Sequence, residues 1–251
     1  MRIFECDFDP ITYPQTLDWA RETIRSRGRG YITTVNVSVL MAMRSNRRLS
    51  RFVESSDITV ADGQPIVWFS RFRGTPLPER VTATALVSGL CETAAGEGAS
   101  VYFLGGDSDA VNNVAEKMKK RYAALDIAGI HDGFFDREST PALVQDICQS
   151  GAKILFVGME VPYQEEFLED HWDELGVQIA IPVGDAFDMI SGKKPRASKW
   201  IQSIGCEWLW RLYLEPRRLA KRYAISNTQF LSLAFGEVMT PNFKNPTSPE
   251  K

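Results

Sequence analysis

Short apolar runs alternate with longer amphipathic segments along the first three quarters of the chain. The apolar runs are rich in β-branched and aromatic residues and have the length of buried strands. They predict strands at residues 31–37, 58–61, 100–104, 127–130, 154–157 and 177–182. The segments between them carry apolar residues at helical spacing and predict helices at 39–50, 66–72, 86–95, 110–122 and 140–149.

Glycine turns separate several of these strands from the helix that follows. A strand, a glycine turn, a helix and a further strand form the βαβ rhythm of a parallel sheet covered on both faces. Gly105 and Gly106 follow one predicted strand, and Gly158 follows another. Because such sheets bind ligands at the carboxyl ends of their strands, the sequence predicts an α/β fold with these glycines on the ligand-binding face.

The pattern changes near Gly192. The remainder is basic and aromatic, and residues 200–222 place apolar side chains close to one helical face, with a break or restart expected at Pro216. The polar, proline-containing stretch at 240–251 is typical of a disordered tail. We therefore predict a core at residues 1–192 and a C-terminal basic helical appendage at 193–251.

Charge is divided unevenly between these two parts. The chain carries −3 overall, which argues against a general nucleic-acid binder. Residues 193–222 contain nine Lys and Arg against two Glu, a net +7, so the rest of the chain carries −10. This excess favours an anionic membrane surface or a phosphate-rich ligand. A helix docked on the core, with its charges solvated, would give the same pattern.

The expected cellular setting follows from three features. The four cysteines form no CxxC pair, as is typical of free thiols in a reducing compartment. The N-terminus lacks the basic and apolar layout of a signal peptide. No apolar run approaches the roughly 18–20 residues that span a bilayer. We expect a cytoplasmic protein whose contact with the membrane is peripheral.

Two motifs at the predicted ligand face each allow two interpretations. The backbone N–H groups at Gly105-Gly106 could hold a phosphate, but a plain tight turn explains them equally well. Asp107-Ser108-Asp109 matches the DxD pattern that holds a divalent metal against a diphosphate. It also opens a predicted helix, where Asp and Ser favour capping, and we favour capping.

Asp62 and Arg80 are further candidates. Asp62 follows the strand at 58–61 and could take a proton from an attacking hydroxyl, although Asp-Gly is also a common turn. Arg80 could bind a diphosphate bidentately or be a solvated surface charge. His131 and His171 have no partner at metal-ligand spacing, and no GxSxG motif is present. Neither a zinc site nor a Ser-His-Asp triad is predicted.

A series of short blocks in fixed order resembles the WecG/TagA/CpsF family, glycosyltransferase family 26. The resemblance covers roughly residues 30–222, and the order of so many blocks is far more specific than any single motif. The blocks are Thr34-x-Asn36, Ala61-Asp62-Gly63, Pro78-Glu79-Arg80-Val81-Thr82, Phe103-Leu104-Gly105-Gly106, Asp132-Gly133-Phe134-Phe135, Pro162-x-Gln164-Glu165, Gly184-x-x-Phe187-Asp188, Arg196-Ala197, Glu207-Trp208-Leu209-x-Arg211-Leu212 and Glu215-Pro216-x-Arg218.

The resemblance implies a Rossmann-like, mostly parallel sheet flanked by helices, with an appendage that touches the inner face of the cytoplasmic membrane. It implies inverting transfer from a UDP-sugar, such as UDP-N-acetylmannosamine or UDP-glucose, to a polyprenyl-diphosphate-linked glycan. The product would enter exopolysaccharide or another cell-surface polysaccharide. No cofactor and no metal are expected, and the question of a homo-oligomer stays open.

The resemblance also implies roles for individual residues. Asp62 is the expected catalytic base. Substrate contacts are expected from Thr34, Asn36, Arg80, Gly105, Gly106, Gln164, Glu165, Arg211, Arg217 and Arg218. The last three belong to the appendage, which would complete the site.

The chain departs from the family pattern near these residues. Ala83 and Ala85 stand where Gly-x-Asp is usual, Glu160 and Tyr163 replace a glycine and a lysine, and Asp185 replaces a small residue. An altered donor or acceptor is the mild inference. Loss of activity is the severe inference, and it leads to the alternative of a catalytically altered member that binds a nucleotide sugar or regulates polysaccharide synthesis. A nucleotide-dependent oxidoreductase is disfavoured, since the glycine fingerprint is incomplete.

Overall fold

The computed structural model describes residues 1–195, 197–198, 201 and 207–239. Its described strands are β1 (Arg2–Ile3), β2 (Cys6–Asp7), β3 (Gly30–Val35), β4 (Ile58–Ala61), β5 (Ser100–Gly105), β6 (Asp126–His131), β7 (Ile154–Gly158) and β8 (Ile179–Pro182). Its described helices are α1 (Tyr13–Ser26), α2 (Val37–Met43), α3 (Arg47–Glu54), α4 (Gln64–Phe72), α5 (Ala83–Glu97), α6 (Ser108–Arg121), α7 (Thr140–Ser150), α8 (Tyr163–Leu175), α9 (Ala186–Ser191), α10 (Glu207–Leu214) and α11 (Pro216–Met239).

Six of these strands form one parallel sheet in the order β4-β3-β8-β7-β5-β6. The inner strands are mostly apolar because helices cover both faces. Helices α1, α5, α6 and α9 pack on one face, and α2, α3, α4, α7 and α8 pack on the other. The predicted α/β fold with a Rossmann-like, mostly parallel sheet is confirmed.

The predicted helix at 39–50 is wrong as a single element. The segment forms two helices, α2 and α3, because the Asn46 side chain accepts hydrogen bonds from the N–H groups of Arg48 and Leu49 and caps a new helix. A second asparagine shortens the strand predicted at 31–37, since Asn36 caps α2 and β3 therefore ends at Val35. Helical periodicity continues across Asn46, and the β-rich run continues past Asn36, so neither cap was evident from the pattern.

The appendage is docked on the core through α11. Leu219, Ser226 and Phe230 are buried, and the Phe230 ring lies 5.7 Å from the Phe4 ring and 5.8 Å from the Phe69 ring, centroid to centroid. The expected restart at Pro216 is confirmed, since α10 ends at Leu214 and α11 begins at Pro216. The predicted tail at 240–251 lies outside the described residues.

The turn at Gly105 connects the sheet to the ligand-binding face. Its φ of +127° is a backbone conformation that residues with a side chain rarely adopt. An added Cβ would stand 2.3 Å from the carbonyl oxygen of Gly158 on the neighbouring strand. We therefore expect Gly105→Ala to lower the free energy of unfolding by at least about 2 kcal/mol, through backbone strain and overpacking. Urea unfolding followed by circular dichroism measures it.

The control is Gly96→Ala on α5, where an added Cβ would meet no heavy atom within 4 Å. It should raise the free energy of unfolding by about 0.5–1 kcal/mol, through helix propensity. Equal stability of Gly105→Ala and Gly96→Ala would show that the ends of β5 and β7 shift to accommodate a side chain at position 105.

Candidate active site

The carboxyl edge of the sheet opens into one large cavity. Its volume is about 1430 Å³, and the segments that follow all six strands of the sheet contribute to its wall. The lining includes one residue within two positions of each strand end, namely Asn36, Asp62, Gly106, Gly133, Met159 and Val183. The parallel arrangement therefore gathers into one space residues that are far apart in the sequence.

The appendage closes the opposite side of this cavity. Glu207, Trp208 and Arg211 of α10 line it, and so do Leu219, Tyr223, Asn227, Phe230 and Leu231 of α11. The cavity therefore lies between the sheet edge and the appendage, and a bound ligand would contact both.

Asp62 is held at the end of β4 by backbone contacts. Its N–H donates to the carbonyl of Val35, at 3.0 Å. Its Oδ2 accepts a hydrogen bond of 3.2 Å from the N–H of Ala83, at the first turn of α5. The carboxylate is thus fixed by a helix N-terminus, while the side chain still lines the cavity.

The surroundings of Asp62 raise its pKa to about 6. Burial is the largest cause; the charge of Arg211, the Ala83 N–H and the charge of Arg80 act in the opposite direction, and Glu207 raises the pKa further. A carboxylate with this pKa is mostly ionised at neutral pH and is a stronger base than an ordinary aspartate. These are the properties that a general base needs.

Two arginines face Asp62, and each forms an ion pair across the boundary between core and appendage. Arg80 of the core donates from Nη1 to Glu207 Oε2, at 3.2 Å. Arg211 of the appendage donates from Nη1 to both carboxylate oxygens of Asp185, at 3.2 Å. A guanidinium has five N–H donors, so these ion pairs are compatible with additional bonds to phosphate oxygens.

Lysines continue the cationic surface at the rim. Lys194 pairs with Asp188, at 2.6 Å, and with Glu215, at 2.9 Å, and Lys193 pairs with Asp107. The capping interpretation of Asp107 is confirmed, since its side chain accepts from the Ala110 N–H at the start of α6. Among the residues that the structure describes, no cluster of three His, Cys, Asp or Glu side chains could hold a metal ion.

Gln164 and Glu165 lie in the first turn of α8 and are buried. Gln164 Nε2 donates to Glu165 Oε1 at 2.8 Å, and Gln164 Oε1 accepts from the Gly184 N–H at 2.9 Å. Gln164 lines the cavity and Glu165 lies behind it. Glu165 is therefore placed to orient Gln164 rather than to contact a ligand.

Of the two glycines in the turn after β5, likewise only one lines the cavity. Gly106 lines the cavity and Gly105 does not. The Gly106 N–H donates to the carbonyl of Gly158, at 2.8 Å. Because this amide is already bonded within the protein, the turn interpretation explains it better than a phosphate contact does.

The structure brings seven of the eleven predicted site residues to the cavity wall, namely Thr34, Asn36, Asp62, Arg80, Gly106, Gln164 and Arg211. Gly105 and Glu165 lie behind the wall, and Arg217 is exposed on α11, outside the lining. The side chain of Arg218 falls outside the described part of the chain.

Sequence analysis missed two carboxylates of the site. Glu207 and Asp185 hold Arg80 and Arg211, but neither was assigned a role. Glu207 stood in one of the quoted blocks, and Asp185 was noted only as a departure. An acid within a strongly basic segment was the available signal for Glu207.

A Rossmann-like sheet, a desolvated carboxylate and facing arginines suit an enzyme that transfers a group from a phosphate-bearing donor. Comparison with known proteins narrows this class. The model of the glycosyl transferase WecG/TagA/CpsF family matches residues 1–244. The chain belongs to this family and is a glycosyltransferase.

A curated relative adds detail. The chain is 27% identical over 194 residues to N-acetylglucosaminyldiphosphoundecaprenol N-acetyl-beta-D-mannosaminyltransferase of Bacillus subtilis (strain 168). The match covers 77% of this chain and 75% of the relative.

Within the described residues, no helix is both long enough and apolar enough to cross a membrane.

The raised pKa of Asp62 predicts an unusual dependence of stability on pH. The folded state binds the Asp62 proton more tightly than the unfolded state, so the native protein loses stability as pH rises from the ordinary pKa of 3.8 to about 6. The Asp62→Asn variant lacks this loss. We expect its free energy of unfolding, relative to that of the native protein, to increase across this window and to level off above it.

Asp107→Asn is a control of opposite sign. Lys193 and the Ala110 N–H lower the pKa of Asp107, so its ionised form stabilises the fold. The free energy of unfolding of Asp107→Asn, relative to that of the native protein, should therefore fall as pH rises. Urea unfolding at a series of pH values measures both variants. A parallel response of the two would contradict the assignment of a raised pKa to Asp62.

Proposed function

We propose that the protein transfers a sugar from a UDP-sugar to a polyprenyl-diphosphate-linked glycan, with inversion, during synthesis of a cell-surface polysaccharide. The observation that carries this proposal is the desolvated Asp62 carboxylate in a cavity whose facing wall bears Arg211 of the appendage. The family supports glycosyl transfer. The name of the Bacillus subtilis relative, with its diphosphoundecaprenol acceptor, supports the acceptor class.

In the proposed reaction, a hydroxyl of the acceptor attacks the anomeric carbon of the donor from the face opposite UDP. The bond between that carbon and the UDP oxygen breaks as the new glycosidic bond forms. Asp62 takes the hydroxyl proton, and UDP leaves with the electron pair. The Ala83 N–H donates to Oδ2 of Asp62. This contact fixes the orientation of the carboxylate and therefore also that of its other oxygen, Oδ1.

The leaving diphosphate gains negative charge, and fixed cations lower the barrier to its departure. Arg80 and Arg211 both lie close enough to Asp62 to influence its pKa, so they belong to the same site as the reacting groups. Lys193 and Lys194 also line the cavity. We propose that these side chains neutralise the diphosphate in place of a metal.

The departures from the family pattern are compatible with activity. The contact between Ala83 and Asp62 is made by the backbone, so the identity of side chain 83 does not remove it. Ala85 does not line the cavity, whereas Glu160, Tyr163 and Asp185 do. We therefore propose that these three positions alter the choice of donor sugar or acceptor, with UDP-N-acetylmannosamine and UDP-glucose as the first donors to test.

Asp62→Asn should fold normally and lose at least about two orders of magnitude in kcat, because positioned general-base catalysis contributes about 10²–10⁴-fold. The kcat/KM of the native protein should fall on the acid side with an apparent pKa near 6. UDP release with a panel of UDP-sugars and a lipid-linked acceptor measures both.

Asp109→Asn is the matched control, because Asp109 is exposed, lies outside the cavity wall and completes the DxD triplet. It should keep native turnover. Near-normal turnover of Asp62→Asn would remove Asp62 from the mechanism. A native protein that binds UDP-sugars without transferring them would instead favour the nucleotide-sugar-binding or regulatory alternative.

Peripheral membrane binding is part of the proposal and has a test of its own. Arg217 and Lys221 are exposed and one helical turn apart on α11. Reversing both charges should weaken sedimentation with anionic vesicles, since a basic residue near such a surface contributes about 1 kcal/mol. The control reverses Lys120 and Arg121, which are exposed on α6. Equal losses from both pairs would point to net charge rather than to the appendage.

A further inference from the structure

One part of the cavity wall is apolar and continues to the protein surface. Trp68 of α4 and Leu231 of α11 both line the cavity, yet 48% of Trp68 and 65% of Leu231 remain exposed. Asn36 and Asp62, by contrast, follow strand ends in the inner part of the wall. The cavity therefore has a polar inner part and an apolar exit between α4 and α11.

Side chains at α4 and α11 make two contacts beside this exit. Phe69 and Phe230 stack edge to face at 5.8 Å, centroid to centroid, and Arg73 Nε lies 3.4 Å from Glu237 Oε2. These two side-chain contacts link α4 to α11 beside the exit. The ion pair also neutralises two charges at the flank of the exit.

The apolar surface extends along α11. Leu231, Phe235 and Met239 are spaced four residues apart and so share one face of the helix. Phe235 is 63% exposed and Met239 is 67% exposed. From Leu231 to Met239 the face covers about 12 Å of helix axis. Contiguous exposed apolar surface of this kind marks a binding site more often than single scattered residues do.

We propose that this apolar stripe, defined as Trp68, Leu231, Phe235 and Met239, binds the polyprenyl chain of the lipid-linked acceptor where it leaves the cavity. The proposal rests on the proposed function and deepens it by assigning a place to the lipid. The occupant follows from continuity, since the stripe starts inside the cavity rather than on a separate surface.

The order of groups along the path agrees with the order of groups in such an acceptor. Asp62 stands two residues before α4, and Trp68 lies about 6 Å along that helix from its first residue. An acceptor sugar whose hydroxyl reaches Asp62 would direct its chain toward Trp68, with the acceptor's own diphosphate between them, while Arg80 and Arg211 serve the diphosphate of the donor. A membrane lipid that only anchored the protein would need no connection to the catalytic cavity.

The test compares two acceptors in detergent micelles, N-acetylglucosaminyl diphosphate on an undecaprenyl chain and on an octyl chain. We expect the native protein to prefer the undecaprenyl acceptor in kcat/KM. In the double variant Phe235→Ser with Met239→Ser, that preference should fall about tenfold or more. The change should appear in the acceptor KM, with the donor KM unaltered. A merely structural defect would alter the donor KM as well.

The control is Ile225→Ser with Tyr213→Ser, which removes exposed apolar side chains of the appendage outside the stripe. It should keep the native preference for chain length. Vesicle sedimentation is measured for all variants in the absence of acceptor.

The outcomes separate the hypotheses. Loss of chain-length preference in the stripe variant alone supports the proposal. An unaltered preference overturns it, and if vesicle binding falls at the same time, the stripe is a membrane anchor instead. Equal chain preference in the native protein also overturns it. A native protein that transfers sugar to neither acceptor overturns the proposed function, and the stripe proposal with it.

Discussion

The chemistry of this protein depends on a carboxylate that is partly removed from water between two parts of the chain. Asp62 stands at the carboxyl edge of the sheet, and the appendage covers it from the other side. Removing a carboxylate from water disfavours its ionised form. The nearby charges of Arg80 and Arg211 counteract this effect. The balance keeps Asp62 ionised at neutral pH and still basic.

The same arginines join the core to the appendage, so catalysis and assembly of the site are coupled. Arg80 reaches from the core to Glu207, and Arg211 reaches from the appendage to Asp185. Because each guanidinium has further N–H donors, an anionic diphosphate could bind the same arginines beside these carboxylates. The two ion pairs therefore provide the arginines with partners before substrate arrives, and they hold α10 against the core beside the cavity.

The strands were predicted from apolar runs, a pattern that the covered sheet itself requires. The buried strands were readily located because both of their faces are covered, which requires continuous apolar runs. Helix boundaries were harder. Asn36 and Asn46 end one element and start the next through side-chain hydrogen bonds, which hydrophobic periodicity does not record. The order of blocks likewise indicated most of the cavity wall, but not that Glu165 and Gly105 lie behind it.

The sequence by itself determined the α/β class, the restart at Pro216, the family and the position of Asp62 at a strand end, because each depends on local composition or on short motifs. Only the tertiary structure decided that α11 docks through Phe230, that Glu207 forms an ion pair with Arg80 between appendage and core, and that Trp68 lies beside the same exit as Leu231. These contacts join residues more than 100 positions apart. Such pairings arise from packing, and no local pattern specifies them.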